Sequence, residues 1–225
     1  GIRDIGVTGV QTCALPISHH LVTMEGGMIL TRDAEFANRC RLLRAHGWSR
    51  DQSKTIRELD FKKRYEFLNW GFNVRPTELQ AGFGIEQLKK IDYFHWLRRK
   101  NAGLLQNVIA KYKPYIRTME VREQVECSWF AFPILISKEC KFSQQELSKF
   151  MEENGIETRP IVAGNMARQQ AVRNFNEIKF SELIGADYVH EQGLYIGIHP
   201  NDNSNLIEHV DNVLRRFFES QSQRD

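Results

Sequence analysis

Apolar side chains fall three and four residues apart in several stretches of the chain, the spacing of a helix with one buried face. After Asp33, the residues Phe36, Ala37, Cys40 and Leu43 line one side of a predicted helix, with Asp33 as its N-cap and His46-Gly47 as its stop. Over 77–112, Leu79, Phe83, Leu88, Ile91, Phe94 and Leu97 predict one long helix that bridges two domains. Pro76 suits its first turn, Gly82 and Gly84 permit close packing or a bend, and a kink is expected around 92–95. Ser143, with Glu146 three residues on, reads as a capping box that opens a helix ending at Asn154-Gly155. Residues 186–192 read as helical. Ser204 is the expected cap of a last amphipathic helix, with Ile207, Val210, Val213, Leu214 and Phe217 turned inward and a frayed polar tail over 220–225. Residues 28–31, 129–136, 156–161 and 194–198 are β-prone, and Pro160 puts the third of these at a sheet edge. Residues 48–67 are charged and poorly periodic, which predicts a long surface loop.

Composition narrows the class. With 225 residues, 41% hydrophobic and 26% charged, the chain can bury a core of one large or two small domains. No apolar run approaches the ~20 residues that span a bilayer as a helix, so no membrane partner is expected. The net charge of +3 is weak, and Arg98-Arg99-Lys100 and Arg215-Arg216 are interleaved with acids. These read as solvated helix faces, and no nucleic-acid partner is expected. Cys40, Cys127 and Cys140 show no C-x-x-C or Cys/His spacing, which argues against zinc and iron–sulfur sites and fits a reducing cytoplasm.

Residues 7–17 read VTGVQTCALPI, which resembles the translation of a sequencing adapter. That likeness implies an artefactual segment over 1–17, a junction at Ser18, and a chain that is a fragment of a longer protein. Cys13 falls within the segment.

The chemistry concentrates just after it. Residues 18–27 read SHHLVTMEGG, placing His19 and His20 shortly before a Glu25-Gly26-Gly27 turn. An imidazole can move protons near neutral pH. A metal site built on His19, His20 and Glu25 is disfavoured, because adjacent histidines point apart on regular backbone. Glu25 is better placed to order the glycine turn. Further on come RAHGWSR over 44–50, GFNVRP over 71–76 and ETRPIVAGNMARQ over 157–169. As side chains alone, Asn73 reads equally as a turn residue or a phosphate donor. Arg50 and Arg75 read as solvated cations or anion ligands.

Taken in order, these motifs resemble the DegT/StrS-type sugar aminotransferases, pyridoxal-phosphate (PLP) enzymes acting on nucleotide-linked keto-sugars. Within that family the likeness is to the cluster-free nucleotide-4-keto-6-deoxyhexose 3-dehydratases, which serve 3,6-dideoxysugar and O-antigen (lipopolysaccharide) biosynthesis. The resemblance covers 18–218 and implies an α/β fold: the C-terminal fragment of a fold-type I aminotransferase. It divides the chain into a partial large PLP-binding domain with bridging helix, 18–112, and a small α+β domain, 113–225. His19 stands where the family carries its cofactor lysine. A lysine forms a covalent imine with PLP and an imidazole cannot, so His19 is expected to be the catalytic base, working with pyridoxamine phosphate (PMP).

The same resemblance implies that Asn73 reaches the cofactor phosphate of the neighbouring subunit in a homodimer, with His20 beside the cofactor. Arg50, Arg75, Asn165 and Arg168 become substrate-binding candidates, the last two in a loop over the sugar nucleotide. Glutamate is the expected amino donor. The family's ring-stacking aromatic and pyridine-nitrogen aspartate precede His19, and its phosphate serine would fall at Ala14. The chain by itself is therefore expected to bind PLP poorly and to be inactive. Two other readings stand beside the dehydratase: a nucleotide-sugar aminotransferase of the same family, and a non-catalytic sugar-nucleotide-binding or structural remnant.

Overall fold

Asp33 opens the first helix as its residue type demands: its carboxylate accepts the Phe36 N–H at 3.0 Å. In the computed structural model the described residues are 11–14 (backbone only), 21–49, 60–174 and 179–222. The chain divides into two compact units, Gly1–Ile91 and Asp92–Asp225.

In the first unit, β1 (Gln11–Ala14) pairs antiparallel with β2 (Gly27–Leu30). The strand expected over 28–31 is thus present, and part of the adapter-like segment is its partner. Helix α1 (Ala34–Arg44) follows and ends at His46 and Gly47, both with positive φ. Its buried residue is Leu42, while the predicted face of Phe36, Ala37, Cys40 and Leu43 is only half-buried. A 3-10 turn occupies Phe61–Tyr65. Helix α2 (Glu78–Leu88) carries a capping box made by Thr77 and Gln80, so Pro76 lies before the cap and not in the first turn. The single long helix expected over 77–112 is two helices: α2 stops at Leu88, and α3 (Ile91–Ala110) begins beyond Lys89-Lys90. The break comes earlier than the expected kink around 92–95.

The second unit is a four-stranded antiparallel sheet in the order β3–β4–β6–β5, with helices packed on it. Its strands are β3 (Ile116–Arg117), β4 (Ala131–Ile136), β5 (Thr158–Pro160) and β6 (Gly193–Gly197). β5 is an edge strand, as Pro160 requires. Four helices complete the unit: α4 (Gln144–Glu153), the short α5 (Gln170–Arg173), α6 (Ile184–Gln192) and α7 (Ser204–Ser222). Strand alternation sends Phe132, Ile134 and Ile136 of β4 to one face, where they are fully buried. There they join Leu105 and Ile109 of α3, Leu147 and Met151 of α4, and Val213, Leu214 and Phe217 of α7 in one core. Ser204 is the first residue of α7, and its hydroxyl donates to Asp202 at 2.7 Å instead of capping the helix.

Helix α3 is tied to the sheet ends by polar side chains. Arg98 is buried and donates to the carbonyls of Trp129, Phe130 and Ile198 at 3.0–3.2 Å. Burial lowers its pKa, and the three carbonyls are what make a buried guanidinium tolerable. Asn101 donates to the carbonyls of His199 and Asn201 at 3.0 and 2.8 Å.

Candidate functional site

In the first unit the site candidates rest on the end of α1. A helix leaves its last carbonyls without partners. Here Phe72 N–H donates to Leu43 O at 2.6 Å and Val74 N–H to Arg44 O at 3.0 Å, while His46 N–H donates to Phe72 O at 2.8 Å. Asn73 lies between these anchors, paired with Ala45 across an isolated bridge. Gly71 makes the approach possible: a Cβ there would come within 2.6 Å of Gly47 N and Leu43 O. The GFNVRP segment is therefore held by backbone, with Asn73 and Arg75 exposed. An amide and a guanidinium presented in this way are suitable donors for phosphate oxygens. The amide is of the kind that would hold the phosphate end of PLP, and the guanidinium of the kind that would hold a phosphate of the substrate.

Beside it, residues 47–49 pair with 66–68. Ser49 N–H donates to Glu66 O at 3.0 Å, and Leu68 N–H donates to Gly47 O at 2.9 Å. Trp48 stacks between Tyr65 and Phe67, with ring centroids 5.4 and 6.0 Å away, and its indole N–H donates to Arg64 O at 2.8 Å. Ser49 Oγ and Arg64 Nε are buried without a hydrogen-bond partner among the described residues. This ladder leads directly into Arg50, which with His19 and His20 lies outside the described residues.

In the second unit Asn165 and Arg168 come together on α6. Asn165 is buried; its Nδ2 donates to Asp187 at 2.7 Å, and its Oδ1 accepts the Ala167 N–H at 2.9 Å. Its backbone N–H donates to His190 Nδ1 at 3.3 Å. Arg168 bonds Asp187 at 2.7 Å and Glu191 at 2.8 Å. The Asn165 amide, foremost, and the Arg168 guanidinium hold the Asp187 carboxyl below the ordinary carboxylate range, against a smaller opposing effect of burial. Gly164, at φ +63°, lies against the imidazole, where a Cβ would overlap His190 Nδ1. Asp187, His190 and Glu191 were not among the sequence candidates. Their signal was the i, i+3, i+4 spacing, which puts all three on one helix face.

No described helix is long and apolar enough to cross a membrane. The sequence matches the DegT/DnrJ/EryC1/StrS aminotransferase family over residues 8–215. It is 36% identical, over 95% of its length, to GDP-4-keto-6-deoxy-D-mannose 3-dehydratase of Yersinia pseudotuberculosis. The structure is similar to that of the E. coli GDP-4-keto-6-deoxy-D-mannose-3-dehydratase with bound hydrated PLP, with a TM-score of 0.84 at 34% identity over 95% of this chain and 56% of that one. A GDP-4-keto-6-deoxymannose-3-dehydratase with a trapped PLP-glutamate geminal diamine gives a TM-score of 0.85 at 32% identity over the same shares, 95% and 56%. The chain spans about half the length of the curated relatives it matches, 56% in the Yersinia case. With its α/β fold and its motifs in family order, the chain belongs to the DegT/DnrJ/EryC1/StrS aminotransferase family.

Proposed function

We propose that this chain is part of a PLP/PMP-dependent enzyme that removes the 3-hydroxyl of a nucleotide-linked 4-keto-6-deoxyhexose in deoxysugar biosynthesis for O-antigen. One observation supports the reading: the chain is 36% identical over 95% of its length to a GDP-4-keto-6-deoxy-D-mannose 3-dehydratase, and we take His19 to stand where the family carries its cofactor lysine. PMP, when bound, supplies an amine for the C4 ketone and a ring that accepts electrons. The protein's own part begins at position 19. The His19 imidazole takes the proton whose loss expels the C3 hydroxyl, and it cannot hold the cofactor covalently as a lysine does. The deoxygenated sugar is therefore released, not aminated.

Asn73 donates to the cofactor phosphate of the partner subunit in a cytoplasmic homodimer, and His20 packs beside the cofactor. Arg50 and Arg75 grip the diphosphate or the sugar hydroxyls, and the loop 163–170 borders the sugar. The balance is a 4-keto-3,6-dideoxysugar, ammonia and PLP from keto-sugar and PMP; glutamate would then convert PLP back to PMP and leave as 2-oxoglutarate. The test supplies PLP, glutamate and GDP-4-keto-6-deoxymannose to the full-length protein of which this chain is part, wild-type and variant alike, and follows ammonia and the sugar product. Ammonia with a 3-deoxy sugar is the expected result, and an amino-sugar would establish transamination instead. A His19→Lys variant is expected to lose ammonia release; unchanged release would remove His19 from the mechanism.

A further inference from the structure

The bonds that fasten the loop 161–169 to α6 differ in their response to acid. Arg168 bonds the Asp187 and Glu191 carboxylates at 2.7 and 2.8 Å, and the Asn165 side-chain amide donates to Asp187 at 2.7 Å. Carboxylates and guanidinium are types that keep their charge between about pH 5 and 8. One further bond is of another kind. The Asn165 backbone N–H donates to His190 Nδ1 at 3.3 Å, so that nitrogen is an acceptor and the ring is neutral, with its proton on Nε2. The closed loop has no room for a second proton there. Gly164, at φ +63°, lies so near the ring that a Cβ built on it would come within 2.2 Å of Nδ1 and 2.9 Å of Cγ. A protonated Nδ1 would set one N–H against another across this contact, with the glycine backbone packed on the half-buried imidazole.

The charged groups around His190 come from two places: Asp187 and Glu191 from its own helix, and Arg168 from the loop. Of the strands packed against α6, β4 carries no titratable side chain and β6 carries Tyr195. Arg117 and Lys138 lie over the Tyr188 ring, two positions back and so on the other side of α6. Asp187, one turn before His190, is the acceptor a charged ring would find. Its carboxyl is held low, by the Asn165 amide foremost, so it stays ionised throughout the imidazole range. We propose that His190 is a proton-operated latch. Neutral, its Nδ1 holds the Asn165 amide and the loop lies closed on α6. Protonated, the ring gives up that amide and turns to Asp187, and the loop loosens. The loosened loop binds one more proton than the closed one, so closure strengthens as pH rises through the imidazole range and weakens as it falls. The latch follows from the bonds of this unit and does not depend on the dehydratase reading.

The experiment follows amide hydrogen exchange of the loop by mass spectrometry in the full-length protein, from about pH 8 down to about pH 5. Each rate is divided by the intrinsic rate at that pH, so that protection alone is compared. Protection in the loop is expected to fall about tenfold, the size of one hydrogen bond, in a one-proton step. Amides of Ile134 and Ile196 in the buried sheet are expected to keep theirs. Nitrogen-15 NMR of labelled histidine at the upper pH is expected to show His190 with Nδ1 bare and Nε2 protonated. His190→Asn places an amide oxygen near the Nδ1 position and cannot titrate, so it is expected to hold the loop equally at both ends of the range. His190→Phe offers no acceptor and is expected to leave the loop loose at both. Wild-type protection that does not change with pH overturns the latch. So does a step that survives in His190→Asn, which makes another group the titrating one, or a neutral ring with its proton on Nδ1. Loss of protection at Ile134 and Ile196 together with the loop also overturns it, since the step is then general unfolding.

Discussion

The two units of this chain are ordered by different forces. In Asp92–Asp225, helices α3, α4 and α7 close one continuous apolar core over the sheet. In Gly1–Ile91, the buried hydrophobic residues among those described are Leu42 and Ala45, while Trp70, Phe72, Leu79 and Phe83 are exposed. The first unit is instead held by backbone bonds to the end of α1 and by the stacking of Trp48. Core burial resists unfolding as a block, whereas a hydrogen-bonded loop opens locally. The segment presenting Asn73 should therefore be the softer of the two site-bearing regions.

The sharpest way to break that contrast is to make one substitution in both units. Phe132→Ala empties a fully buried position and is expected to cost about 3–5 kcal/mol in urea unfolding followed by circular dichroism. Phe72→Ala removes a ring that is largely exposed and should cost under about 1 kcal/mol. Equal costs would mean that the first unit has a core of its own. Next in size is Arg98→Met, which keeps the buried aliphatic stem but leaves the carbonyls of Trp129, Phe130 and Ile198 without their donor. A loss of about 2–3 kcal/mol is expected, and a neutral result would show that water replaces the guanidinium.

Gly→Ala changes should have opposite signs in the two units. At Gly71 the new methyl meets Gly47 N and Leu43 O at 2.6 Å, so the bonds between 43–46 and 72–74 must part. A local loss of about 2 kcal/mol is expected, read as faster amide exchange at Phe72 and Val74. At Gly103, within α3, nothing lies within 4 Å of the added Cβ. There alanine should stabilise by about 0.5–1 kcal/mol, read as a higher melting temperature.

Legibility followed the same division. The capping box at Ser143, the inward face of α7 and the edge position of β5 were readable because each follows from residues close in sequence and from a core this chain contains. The predicted face of α1 is half-buried and the apolar side of α2 is exposed, because periodicity announces a face without saying whether anything covers it. Leu79 and Phe83 keep helical spacing and are exposed. The long helix over 77–112 failed at Lys89-Lys90, where a break costs little and leaves no strong sequence mark. In the candidate site, Asn73 and Arg75 were named from their motif, and the structure presents both exposed on the segment bonded to the end of α1. The clasp of Asn165 and Arg168 by Asp187, His190 and Glu191 was not, since its partners lie some twenty residues away in the chain.

The smallest expected difference is also the most controlled, because a capping box of the same design is found in each unit. Thr77 and Gln80 close the start of α2, and Ser143 and Glu146 close the start of α4. Removing either hydroxyl deletes an acceptor for the third helical N–H, a loss of about 1 kcal/mol. Helix α4 contributes Leu147 and Met151 to the common core, so Ser143→Ala should appear at nearly full size in global unfolding. Helix α2 has no buried residue, and its Gln80 also donates to Glu25 O at 2.8 Å. Thr77→Ala should therefore loosen the start of α2 and the turn at Glu25 together, as faster amide exchange, while the global transition stays where it was. If Thr77→Ala shifted the global transition as far as Ser143→Ala does, the two units would unfold as one, and the softness assigned to the Asn73 segment would be wrong.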